Sequence, residues 1–249
     1  MNFLIQTVND QIVHDFAFTL LESIKYHTWY TKNDPIGYRT TDRVPCLNDT
    51  WAESERFPKV VPIGNTKFVC QYIENFVGPA PKPINVPREL MDPFWTGRKI
   101  FNGTEKDIWK TFFKSNDIIK VDANETEWPK PGNYQISEPI DIVSEWRAFV
   151  FRGELVGLQN YSGAFAVFPD VERIRDMIAA YKQCPPAYTL DVAVIEEPGT
   201  FGDKGTTVVI EVHDFFSCGL YGFADHRILP YMFNDWFHWY RRKVQSGKR

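Results

Sequence analysis

The chain has 249 residues, 43% hydrophobic, 16% aromatic and 24% charged, a balance suited to a soluble globular protein with a sizeable core. Its net charge of −4 argues against a protein that coats nucleic acid, and no apolar run approaches the roughly 18 to 20 residues that span a bilayer. Cys46, Cys70, Cys184 and Cys218 form no CxxC pair, which reads as idle thiols in a reducing compartment instead of disulfides or a zinc site.

Met1–Asp10 carries no basic segment ahead of a long apolar core, so no secretory signal is read and a cytoplasmic protein is expected. The N-x-S/T tripeptides at Asn48, Asn102, Asn124 and Asn160 are then chance matches. Residues 2–8 read as a strand and about 10–25 as a helix, with Ile12, Phe16, Leu20 and Ile24 on one stripe. A polar, aromatic loop is expected through Thr50. Val60–Ile63 reads as a strand, and Gly64-Asn-Thr66 caps a helix that places Phe68, Val69, Tyr72, Ile73 and Phe76 on one face. Gly78–Pro87 holds four prolines and is the best boundary candidate.

Beyond it, Thr111–Lys114 and Ile118–Lys120 flank the tight turn Ser115-Asn-Asp117. That turn folds two strand ends carrying Lys114 and Lys120 toward each other, and paired ammonium groups suit an anion between them; ordinary surface lysines are the alternative. Tyr134–Pro139 reads as a strand, and Trp146–Phe151 with Leu155–Leu158 as a hairpin around Arg152-Gly153. Arg147 shares a face with Phe149 and Phe151, where it needs an anionic partner: a phosphate, or a salt bridge to Glu145 or another acid. A helix from about Asp170, capped by it, carries Val171, Ile174, Ile178 and Tyr181.

Tyr188–Ile195 and Thr206–Asp214 alternate with a period of two, and turn residues separate them. Pairing Glu196 with Thr206 brings Asp191 opposite Glu211. Asp191 stands away from Leu190, Val192 and Val194, while Glu211 and His213 stand away from Val208, Ile210 and Val212. Facing carboxylates repel, so a divalent cation or one raised pKa is expected; a different register with both acids solvated is the alternative. If repulsion dominates, neutralising both acids stabilises the metal-free chain. The last helix aligns Leu229, Phe233, Trp236, Phe237, Tyr240 and Val244. Its aromatics read as packing instead of base stacking, and the cations Arg241-Arg-Lys243 as a match to its dipole.

No GxxxxGK[ST], GxGxxG or HExxH signature occurs. The chain instead resembles the ATP-grasp superfamily, most closely a clade named for two arginines and a lysine. The resemblance runs from about Val61-Pro-Ile-Gly-Asn to the carboxyl terminus. Phe113-Lys-Ser, Ser137-Glu-Pro, Ser144-Glu-Trp-Arg-Ala-Phe-Val150, Tyr188-Thr-Leu-Asp-Val, Ile210-Glu-Val-His-Asp and Gly219-Leu-Tyr-Gly222 carry it. It implies an α+β, ATP-grasp-like two-lobed fold: an N-terminal α/β pre-domain over 1–85, a small lobe over 86–138 and a large lobe over 139–249. It further implies an ATP-dependent carboxylate–amine ligase with ATP and Mg²⁺, acting on small-molecule or peptide substrates, with neither membrane nor nucleic acid as partner.

By the same resemblance, Lys114 and Lys120 contact phosphates, Gln135-Ile-Ser137-Glu138 forms the adenine hinge, and Glu138 holds ribose or is a solvated acid. Asp191 and Glu211 bind magnesium, Arg147 meets the transferred phosphoryl group, and Arg98 is read as the second arginine, on the nucleotide. The family's metal site usually ends in Glu-x-Asn, whereas this chain has Glu211-Val-His213. Magnesium binds imidazole poorly. Asp214 or water then substitutes, or a softer ion such as Mn²⁺ is preferred. Otherwise catalysis has been lost and a nucleotide-binding module remains.

Overall fold

A computed structural model of the chain describes residues 1–30, 36–46, 59–104, 107, 133–196 and 205–247. Three sheets organise the described residues. The first is parallel, with β1 (Asn2–Gln6) between β2 (Gly37–Thr41) and β3 (Val61–Ile63). The second pairs β4 (Ile100–Thr104) antiparallel with β5 (Asn133–Ser137). The third is antiparallel in the order β7 (Glu154–Gly163), β6 (Ile142–Phe151), β8 (Ala187–Ile195), β9 (Thr206–Asp214), so β9 is an edge.

Helices among the described residues include α1 (Asp15–Tyr30), α2 (Thr66–Phe76), the single turn α3 (Pro93–Thr96), α4 (Val171–Ala180) and α5 (Leu229–Ser246). Both expected caps are present: Asn65 accepts from the Phe68 amide at 2.8 Å, and Asp170 accepts from the Glu172 and Arg173 amides at 2.9 and 3.2 Å. Helix α1 starts later than its apolar stripe suggests. Asn9 and Asp10 both take positive φ (52° and 59°), and Val8 and Gln11 exchange backbone hydrogen bonds around them. That tight turn consumes the residues read as the first helical turn. Strands β2 and β4 occupy stretches not read as strands.

The third sheet buries one face in a core with α4, through Trp146, Ala148, Val150, Leu190, Val192, Val209 and Val212. Its other face is split. Phe149, Phe151 and Ala187 join α1, α2, α5 and the first sheet in a second core. The N-terminal region therefore shares its core with the last helix. Farther along that face, apolar packing gives way to Arg147, Asp191, Glu211 and His213, and this change of chemistry defines the site.

The proline-rich segment is stitched down as it passes the third sheet. The Gln135 side-chain amide pairs with both the N–H and the C=O of Val86 at 2.9 Å, and Asn85 O accepts from the Val212 amide at 2.8 Å. Asn85 adopts φ 54°, a left-handed conformation asparagine tolerates.

Candidate metal and phosphoryl-transfer site

Asp191 lies directly opposite Glu211 across β8 and β9, and opposite Arg147 across β6 and β8. The expected route to that pairing needs correction. Thr206 pairs with Ile195, not Glu196, and the ladder runs in that register through Val192↔Val209. A bulge then leaves Ile210 without a partner on β8 and restores Asp191↔Glu211. Strand parity changes with it: Val209 joins Val212 in the core against α4, in place of Val208 and Ile210.

Asp191 also has a counter-charge within the protein, beyond the cation expected between the facing acids. Asp191 is 1% exposed and Arg147 7%. Arg147 Nε donates to Asp191 Oδ1 at 2.8 Å and Nη2 to Oδ2 at 2.7 Å, a bidentate fork. Its Nη1 donates to the Gly219 carbonyl at 3.1 Å, and the rings of Tyr221 and Tyr161 lie 5.0 and 5.7 Å from its central carbon. Arg147's anionic partner is thus Asp191, not Glu145. Burial opposes the charge on both groups, but the fork outweighs it, holding Asp191 below the usual carboxylate range and raising Arg147.

Tyr221 reaches this position from a loop in which it takes φ 47° and Gly222 φ 91°. Two successive left-handed residues turn the chain sharply, the first an unusual conformation for an aromatic side chain.

Asp191, Glu211 and His213 each present one donor atom, all within 4.8 Å of one another. His213 Nε2 lies 3.0 Å from Glu211 Oε1 and 3.5 Å from Asp191 Oδ2. Neither contact has hydrogen-bond alignment, so the nitrogen points between the two carboxylates. Asp191 and then Glu211 pull the imidazole pKa up to about 9, against burial. In the metal-free molecule at neutral pH, Arg147 and protonated His213 balance the two acids.

This has a measurable consequence for folding. The imidazole pKa rises from 6.5 to about 9 on folding, so its stabilisation is fully present below pH 6.5 and lost as pH climbs through 9. In a chelating buffer, the melting temperature falls between pH 6.5 and 9, and His213→Asn flattens that slope. Parallel profiles for the two proteins would remove His213 from the charge balance.

The donor set fits a divalent ion. Two carboxylates suit Mg²⁺, which enzymes hold through one or two acids plus substrate phosphates, while the imidazole favours a softer ion. Asp214 is not a member of the cluster. Its carboxylate accepts instead from Trp236 Nε1 of the last helix at 2.7 Å, and burial raises its pKa. A cavity of about 370 Å³ adjoins the cluster, lined in part by Thr66, Lys82, Arg147, His213, Asp214 and Gly219.

Lys114 and Lys120 lie outside the described residues. Gln135 and Ser137 sit on β5, with the Gln135 amide engaged by Val86. Glu138 follows the strand and accepts from the Lys99 amide at 3.0 Å. Arg98 sends its donors into Ser137 Oγ and the carbonyls of Thr96, Val209 and Ile210. Tyr161 has no signal in the sequence and Tyr221 only its place in Gly219-Leu-Tyr-Gly222, because the tertiary fold alone brings both rings over Arg147.

No curated protein matches the chain significantly. Among solved structures, the D-alanine–D-alanine ligase from Bacillus anthracis complexed with ATP matches at 10% identity and a TM-score of 0.47, covering 98% of this chain and 99% of that chain. The macrocyclase MdnC bound with precursor peptide MdnA from Microcystis aeruginosa matches at 12% identity and a TM-score of 0.45, covering 94% and 100%. The ATP-grasp ligase PsnB complexed with minimal precursor, Mg and ADP matches at 12% identity and a TM-score of 0.41, covering 93% and 98%. Residues 97–230, more than half of the chain, match the family profile of the ATP-grasp domain, R(2)K clade family 2, and the chain belongs to that family.

Proposed function

We propose that the protein is an ATP-dependent, ADP-forming ligase that joins a carboxylate to an amine. The observation that carries this reading is the cluster of Asp191, Glu211 and His213 beside Arg147, at the edge of a cavity large enough for a small substrate or a peptide end. The substrate carboxylate attacks the γ-phosphorus of ATP and releases ADP. The amine then attacks the acyl carbon, loses a proton, and expels phosphate to leave an amide. An ion held by Asp191, Glu211 and His213 supplies charge neutralisation at the phosphates.

Within that scheme each described residue has a limited task. Asp191 and Glu211 offer oxygen ligands, and the fork from Arg147 keeps Asp191 ionised and fixed in direction. Arg147 has most of its donors committed, so it acts on the phosphoryl group through Asp191 more than by direct contact. Lys114 and Lys120 are assigned to the phosphates, Gln135, Ser137 and Glu138 to the nucleotide hinge. The lobes are taken as 1–85, 86–138 and 139–249, with the protein working in the cytoplasm.

One observation favours a second reading, a nucleotide-binding module without turnover: Asp191 is already neutralised by Arg147 and His213. ADP release separates the two readings. A coupled ADP assay over mixed carboxylates and amines, with Mg²⁺ or Mn²⁺, is expected to show turnover that needs both substrates and is lost in Glu211→Gln. Metal-dependent ATP binding with no ADP released across the panel would favour the silent module.

A further inference from the structure

Arg98 is 9% exposed and makes no ion pair among the described residues. A buried guanidinium served by neutral acceptors is costly, and burial lowers its pKa. Its partners show where that cation acts. Nη1 donates to the Val209 carbonyl at 2.8 Å and the Thr96 carbonyl at 3.0 Å, Nη2 to the Ile210 carbonyl at 3.3 Å, and Nε to Ser137 Oγ at 2.5 Å.

Val209 and Ile210 are the residues at which β9 changes register. In a regular strand, successive carbonyls point to opposite edges; at a bulge, two in a row can serve one donor. Among the described residues β9 is the edge of the sheet, with no further strand beside these two carbonyls. Arg98 takes both carbonyls with one planar fork, a geometry lysine cannot reproduce.

The register matters because side chains alternate. If the pairing Ile195↔Thr206 continued without a bulge, Asp191 would face Ile210, and Glu211 would turn to the opposite side of the sheet. With the bulge, Val209 and Val212, an odd three residues apart, both reach the core against α4, and Glu211 meets Asp191.

We infer that Arg98 is a positioning residue: by clamping the carbonyls of Val209 and Ile210 it fixes the bulge that sets Glu211 opposite Asp191. Through Ser137 it also ties the end of β5 to β9, the strand that carries Glu211. The inference takes from the proposed function only that these two acids hold the metal.

Deleting Ile210 provides the test. Without that residue the ladder runs regularly from Val192↔Val209 to Asp191↔Glu211, so the clamp is no longer required. Four full-length proteins are compared: wild type, Arg98→Met, the Ile210 deletion, and both changes together. Cross-strand backbone NOEs between Asp191 and Glu211 report the register, and Mn²⁺ titrated alone, followed by electron paramagnetic resonance, reports the site.

Arg98→Met is expected to lose the Asp191–Glu211 NOEs and at least tenfold in Mn²⁺ affinity. The Ile210 deletion is expected to keep both, and the combined variant to recover the NOEs and Mn²⁺ affinity to within about threefold of wild type. Native NOEs in Arg98→Met, or a combined variant that does not recover them, would overturn the inference. If Arg98→Met alone does not fold, folding of the combined variant supports the clamp and its failure overturns it. A wild type that binds no Mn²⁺ refutes the metal reading, while the NOEs still decide the role of Arg98.

Discussion

Asp191→Asn lowers the unfolding free energy of the metal-free protein by about 3 kcal/mol, the low end of the range for breaking a buried ion pair from one side. The reason is Arg147. Its guanidinium is buried, and both arms of its fork end on Asp191. An asparagine can accept only one of those bonds and carries no charge, so the cation is left in a site of low dielectric. Two facing carboxylates considered alone lead to the opposite sign, because neutralising them would relieve repulsion. The pair of cations reverses it: Asp191→Asn with Glu211→Gln leaves Arg147 and His213 without their counter-charges and destabilises the chain further.

Urea unfolding in a chelating buffer measures the effect. Arg147→Met combined with Asp191→Leu supplies the control, since replacing a whole buried pair by apolar groups often costs little. Recovery of most of the lost stability there is expected. If Asp191→Asn is as stable as wild type, the Arg147–Asp191 pair does not hold this face of the sheet together.

The same residues show how far the sequence could be read. Alternation in Tyr188–Ile195 and Thr206–Asp214 separates an apolar face from a face bearing acids, and that is enough to suggest Asp191 opposite Glu211. The loop pairing behind the suggestion is off by one residue, and the bulge at Ile210 cancels the error. A bulge of this kind leaves little trace in a local pattern, because the side chain that holds it lies 111 residues away at Arg98. Arg147 is legible as a cation on an apolar face that must find an acid. Which acid depends on β6 lying beside β8, a fact of topology. Helices α2 and α4 follow their stripes and caps, and α5 follows its stripe. Strand β2 is short and exposed, so neither of its faces builds the apolar alternation that marks a half-buried strand.

His213→Asn shifts the metal preference of the site toward magnesium. In the wild type, imidazole nitrogen is a poor ligand for a hard ion and a good one for a softer ion. His213 Nε2 points between Asp191 and Glu211, where the donor atoms come within 4.8 Å of one another. Any ion bound by both acids therefore meets the imidazole. Mn²⁺ gains a nitrogen ligand there, whereas Mg²⁺ has to keep a water in that position or push the ring aside. An asparagine carbonyl oxygen instead completes an all-oxygen set and matches the family's Glu-x-Asn pattern. The expected result is a wild-type preference for Mn²⁺ over Mg²⁺ on the order of tenfold, or about 1.4 kcal/mol, that shrinks to near parity in His213→Asn. Competition calorimetry in the presence of ATP reads it directly. Equal preference in the two proteins would place the ion beyond reach of His213, with only Asp191 and Glu211 as its protein ligands.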